Sequence, residues 1–157
     1  MNDEVNKFMK LAIEISIKSV DNKGGPFGCI IVKNNEIVAE GHNQVTSLND
    51  PTAHGEIVAI RNACKNLNTF NLNGTVLYTS CEPCPMCLSA IYWSHIDKVY
   101  FGNSRNDASK IGFDDDFIYK EFSKDITSRK IPLIQIMSKQ AIVAFNKWGK
   151  KLDKIMY

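Results

Sequence analysis

The stretch 75-TVLYTSCEPCPMCLSAIYWS-94 decides how this 157-residue chain is read. Its first six residues form a short run rich in β-branched and aromatic side chains, the composition of a buried strand. From Cys84 onward "CPMCLSAIYWS" reads as a helix, with Pro83 at the entry, where a missing N–H costs nothing. Cys81, Cys84 and Cys87 stand three residues apart at the junction. Cys84 and Cys87, at i and i+3, can point to one side of a first helical turn, toward a single ion. A helix N-terminus also favours thiolate, the form that binds metal.

Working outward, Val5, Phe8, Met9, Ala12, Ile15 and Val20 recur at helical spacing and predict an amphipathic helix ended by "DNKGGPFG". "CIIVK" and "EIVAE" flank Asn34-Asn35, a turn pair between two strand-like runs, and predict an antiparallel hairpin. "AHGEIVAIRNACKN" reads as a second helix, "DKVYFG" as a fourth strand and "IPLIQIM" as a fifth. Between Gly102 and Ile131 the chain is polar and irregular apart from a short helix at "DDFIYKEF". A last helix, "KQAIVAFNKWGKKLDKIMY", gathers Ala141, Ala144, Phe145, Trp148 and Leu152 on one face. There are no repeats and no low-complexity linker. This order predicts one domain over residues 1–157, an α/β three-layer α/β/α sandwich with a central five-stranded mixed sheet.

Hydrophobic residues at 44% and charged residues at 23% exclude a disordered or fibrous class. No apolar run approaches the roughly 20 residues that span a bilayer, and "MNDEVNKFMK" lacks the basic-then-apolar order of a signal peptide. A cytoplasmic protein is expected. Five cysteines is an odd number, and in a reducing compartment a cysteine cluster points to metal or chemistry rather than to disulfides. A net charge of +2 is too small to imply a nucleic-acid surface, and Lys139, Lys147, Lys150, Lys151 and Lys154 read as a solvated helix face.

A Cys-x-x-Cys pair alone leaves redox chemistry open, and a closed structural site with Cys81 as fourth ligand is a further possibility. "PTAHGEI" changes the balance, because it supplies His54 with Glu56 two residues later at the start of the other helix. His-x-Glu followed by Pro-Cys-x-x-Cys is the signature of the zinc deaminases. One imidazole and two thiolates leave a fourth tetrahedral position on zinc for water, whose pKa falls toward roughly 7. Hydrolytic deamination also needs a proton carrier beside that water and off the metal, the role Glu56 fills. Cys81 is then a structural bystander, Cys29 and Cys64 fit core patterns, and His42 and His95 have no partner motif.

On "GGPFG", "NDPTAHGEI", "LYTSCEPCPMCLSAIYW" and "GFDDDFIYKE", in that order over nearly the whole chain, the sequence resembles the cytidine-deaminase fold superfamily and within it the bacterial guanine deaminases. The resemblance implies one zinc ion per chain on His54, Cys84 and Cys87, and Glu56 as the acid/base. It also implies Asp115 as a second proton carrier, Asn43 bonded to the purine and Phe27 packed near it. By the same resemblance Tyr157 closes the pocket, in a homodimer whose C-terminal segment, about 138–157, can be exchanged. Gly24, Gly25 and Gly28 permit a close approach of backbone to the pocket. Gly55 departs from the family, where alanine often separates the histidine and glutamate, and loosens the helix start.

The bland readings are a turn residue for Asn43, core packing for Phe27, a helix-start acid for Asp115 and a frayed terminus for Tyr157. The expected reaction is hydrolysis of guanine to xanthine and ammonia. A tRNA-adenosine deaminase would need a basic surface and a path for an extruded nucleotide. Cytosine or another small amino-heterocycle would use the same zinc site. A non-enzymatic zinc-stabilised interaction module would need Cys81 in a closed site, and a thiol-redox protein would need neither His54 nor Glu56.

Overall fold

The structure, a computed structural model, describes residues 3–156. It divides into two compact units, Met1–Asp115 and Asp116–Tyr157. The first opens with helix α1 (Asp3–Asp21), followed by β1 (Gly28–Lys33) and β2 (Glu36–His42), a short helix α2 (Val45–Leu48) and helix α3 (Gly55–Leu67). Strand β3 (Thr75–Cys81), helix α4 (Pro85–Trp93), strand β4 (Lys98–Asn103) and helix α5 (Arg105–Lys110) complete it. Asn34 and Asn35 both take left-handed φ values, 50° and 63°, the conformation a tight two-residue hairpin turn requires.

The sheet runs β2-β1-β3-β4, with β1 antiparallel to both neighbours and β3 parallel to β4. Alternate residues of β1 serve two cores. Ile30 and Val32 meet Phe8 and Ala12 of α1 on one face, while Cys29 and Ile31 meet Ala59 and Ala63 of α3 and Ile91 of α4 on the other. The layers are therefore α1, sheet, and α3 with α4, the three-layer sandwich the sequence predicts. Strands covered on both faces explain why "CIIV" and "TVLYTS" read as unbroken apolar or β-branched runs.

The stretch after Gly102 holds a second short helix, α5, besides the one expected at "DDFIYKEF", and the sheet has four strands: 131-IPLIQIM-137 is not a strand. Apolar β-branched composition made it look like one. However, Ile131, Leu133, Ile134 and Ile136 are exposed in the second unit, and Pro132 lacks a ladder donor. That unit holds α6 (Asp116–Phe122), a 3₁₀ turn (Ile126–Ser128) and α7 (Ser138–Lys150). Its described residues include no buried one. Helix α7 also stops before Leu152, which leaves that residue off the predicted face: Gly149 weakens the last turn and Lys151 turns extended.

Strand directions position the site. Because β2 and β3 are each antiparallel to β1, they run the same way, and α3 and α4 begin at the same edge of the sheet. β4 ends at that edge too, and β1 starts there, so residues 24–27, 43, 54–56, 84–87 and 104–115 converge. This is the carboxyl-end edge where α/β folds place their ligands. The approach of β2 to α3 is tight: a Cβ at Gly41 would overlap the Gly55 carbonyl oxygen and lie 2.6 Å from the Ala59 nitrogen.

Candidate metal centre

His54 is the N-cap residue of α3, extended at φ −69° and ψ 156°, and its side chain makes no capping bond. The turn before it is set by Asp50, whose Oδ1 accepts from the Thr52 amide at 2.8 Å and the Thr52 hydroxyl at 2.7 Å. Cys84 is likewise the N-cap of α4, with Pro85, not Pro83, at the first helical position. Cys87 is then the third residue of the helix, and both thiols still face His54.

His54 Nδ1 lies 3.5 Å from Cys84 Sγ and 3.6 Å from Cys87 Sγ. All three donor atoms fall within 4.8 Å of one another, the metal-capable group found among the described residues. Tetrahedral zinc with ordinary Zn–N and Zn–S bond lengths separates an N from an S ligand by about 3.6 Å, so the donor set and spacing both fit that ion and leave one vertex open. The cluster is also polarised. Hydrogen bonding from Cys87, together with His54, holds the Cys84 thiol down at about 4, and the Cys84 bond raises the His54 imidazole against burial. Sharing that bond with Cys84, and burial, push Cys87 well up.

Glu56 sits in the first turn of α3, where the helix dipole favours an acid, and is only 5% exposed. Its Oε1 accepts from the Thr79 hydroxyl at 2.7 Å. Thr79, on β3 and 1% exposed, is a site neighbour the sequence reading missed. The available signal was a hydroxyl on the strand face that Leu77 and Cys81 share. Cys81 stands apart from the metal group: its Sγ contacts the Ser104 carbonyl at 3.9 Å, and burial pushes its thiol up to about 11.

The remaining candidates flank this centre. Asn43 is buried, its backbone N–H donating to the Phe27 carbonyl at 3.0 Å and its side-chain Oδ1 accepting from the Val45 backbone N–H at 3.3 Å. A Cβ at Gly25 would lie 3.1 Å from Asn43 Cγ, so glycine lets that loop close over the asparagine. Half-buried Phe27 packs edge-on to Phe113, ring centres 4.9 Å apart. Asp115, two residues after Phe113, is half-buried, and its carboxyl is pushed up by burial and then by the Cys84 charge. His42 and His95 are exposed and outside the cluster. Tyr157 lies outside the described residues.

Residues 2–103 match the family model of the cytidine and deoxycytidylate deaminase zinc-binding region. The chain is 47% identical over its whole length to the guanine deaminase of Bacillus subtilis, also covered in full. The crystal structure of that enzyme superposes on 100% of this chain and 99% of its own, with a TM-score of 0.95 and 46% identity. The tRNA-specific adenosine deaminase of Aquifex aeolicus is 46% identical but matches 60% of this chain and 62% of its own length. A guanine deaminase structure from Nitrosomonas europaea, 29% identical, covers 69% of this chain and 63% of its own at a TM-score of 0.65. The four elements of sheet order, ligand spacing, buried glutamate and full-length likeness agree, and the chain belongs to the zinc-dependent cytidine and deoxycytidylate deaminase family, on its guanine deaminase branch.

Proposed function

We propose that this protein hydrolyses guanine to xanthine and ammonia, with His54, Cys84 and Cys87 holding one zinc ion. The observation that carries the choice of base is the full-length match to a guanine deaminase, because the family-wide match ends at residue 103 and "GFDDDF" lies beyond it. Bound zinc supplies a Lewis acid that brings the pKa of water toward neutrality.

The chain's own residues do the proton work. Glu56, buried next to the ligand cluster, takes the proton of the attacking water and delivers it to the ring nitrogen beside the carbon that bears the amine. A C–O bond forms at that carbon, the C–N bond breaks, and ammonia leaves. Asp115, on the loop after α5, takes the remaining proton from the new hydroxyl and passes it to the departing amine, which leaves the carbonyl of xanthine. Asn43 and Phe27 hold the ring, one by hydrogen bonding and one by aromatic contact, and Tyr157 closes the pocket.

The working form is a homodimer, with no nucleic-acid or membrane partner. Apolar residues of α7 are exposed, Phe145 at 76%, and the unit Asp116–Tyr157 has no buried residue among those described. Such a segment needs another surface to cover it, which supports its exchange between subunits while each chain still works as one deaminase domain. Among the described residues no helix is long and apolar enough to cross a membrane. The five free cysteines suit a reducing, cytoplasmic compartment.

Ammonia release by the zinc-loaded protein on guanine, cytosine, adenine, guanosine and a tRNA anticodon-arm RNA tests the substrate. Turnover confined to guanine is expected. Turnover of the RNA alone would transfer the protein to the tRNA-editing branch, and silence on all five with zinc bound would leave a zinc-stabilised interaction module.

A further inference from the structure

Thr79 lies in the middle of the sheet, paired across to Cys29 of β1 on one side and Phe101 of β4 on the other. Its β-branched side chain is stiff at χ1, and both it and Glu56 are withdrawn from solvent, so the 2.7 Å bond to Glu56 Oε1 is set by the strand. Thr79 therefore offers the carboxylate a donor that is not itself a metal-ligand candidate.

A carboxylate that shuttles a proton has two chemically equal oxygens and a free rotation that exchanges them. A fixed donor on one oxygen removes that equivalence. We propose that Thr79 is a positioning residue for the deaminase reaction: its hydroxyl anchors Glu56 Oε1, so that Oε2 is the oxygen that accepts the proton of water and passes it to the substrate ring. The inference rests on Glu56 being the acid/base. Glu56 returns to a carboxylate after each transfer, and the Thr79 proton stays on its own oxygen throughout.

The test compares zinc-loaded wild type with Thr79→Val, which keeps the shape and removes the donor, and Thr79→Ser, which restores the donor. Thr79→Val is expected to lower kcat about 10- to 100-fold, the scale of loss when hydrogen-bond partners in the shell around a metal site are removed, with KM for guanine within about twofold. Thr79→Ser is expected to recover most of the loss. Zinc content and calorimetric affinity for xanthine should be those of wild type in both variants. Should the valine variant fail to fold, Thr79→Ala takes its place.

A kcat within twofold of wild type in Thr79→Val overturns the proposal, as does a loss that tracks missing zinc and is not repaired by serine. The substrate assignment is tested separately by wild type in the same assay. If wild type leaves guanine untouched, the side-chain coupling is still read by melting temperature. Thr79→Val should then cost less in a Glu56→Ala background than in the native one, and equal costs overturn the anchor.

Discussion

Single atoms decide two glycine positions that look alike in sequence. A Cβ at Gly41 would collide with backbone of Gly55 and Ala59, whereas a Cβ at Gly55 would meet the Phe27 carbonyl oxygen at 3.4 Å, ordinary contact. Gly41→Ala should therefore yield little folded protein. Gly55→Ala should stabilise by about 0.5–1 kcal/mol, because it removes backbone freedom from the first helical turn. Thermal melts of the two zinc-loaded variants check both signs. Among the thiols, Cys81→Ala should retain one zinc per chain through dialysis, since its sulfur faces the Ser104 carbonyl, while Cys84→Ser and Cys87→Ser should lose it. Retention in all three variants, by elemental analysis, would contradict the ligand set. At this scale the sequence was legible where a motif fixed both residue type and spacing, as for His54, Glu56, Cys84 and Cys87. Thr79 was not legible, because its role comes from pairing 23 residues apart with Glu56, and a threonine in a strand is unremarked by composition.

Elements bring these atoms together through strand direction and helix starts. Helix α5 shows the cost of a start in isolation: the Ser104 hydroxyl accepts from the Asp107 amide while the Asp107 carboxylate takes the Ser104 amide, a reciprocal cap. Ser104→Ala should cost about 1 kcal/mol in urea unfolding. The bonds from Ser104, aided by Lys110, hold the Asp107 carboxyl below the usual carboxylate range. A lowered folded-state value means that its stabilising effect is present above the unfolded pKa, near 3.9, and fades as pH falls through and below it. The stability gap between wild type and Asp107→Asn should accordingly be visible at pH 7 and close under strong acid. A gap that widens in acid would reverse the sign. Helices α1, α3, α4, α6 and α7, and the Asn34-Asn35 hairpin, follow from periodicity and turn chemistry read locally. "IPLIQIM" failed because composition reports the wish to be buried, not the strand beside which burial occurs.

For the whole molecule, the second unit is the part that local reasoning reads least well. The periodic face of α7 reads as a core-facing helix, yet Phe145 and its neighbours are exposed in the single chain. A surface of that kind is covered in solution by another copy under the dimer proposed above, and light scattering should return twice the chain mass. A monomer at micromolar concentration would contradict it. The chemistry proposed above needs a zinc centre on His54, Cys84 and Cys87 with Glu56 as the proton carrier for guanine. Its most direct measurement is conversion of guanine to xanthine, followed chromatographically with matched ammonia, by wild type and Glu56→Gln loaded to the same zinc content. One xanthine per ammonia is expected from wild type, and a rate at least about a hundredfold lower from the variant, the scale of a lost general acid/base. Equal rates from the two proteins, or no xanthine from a fully zinc-loaded wild type, would contradict it.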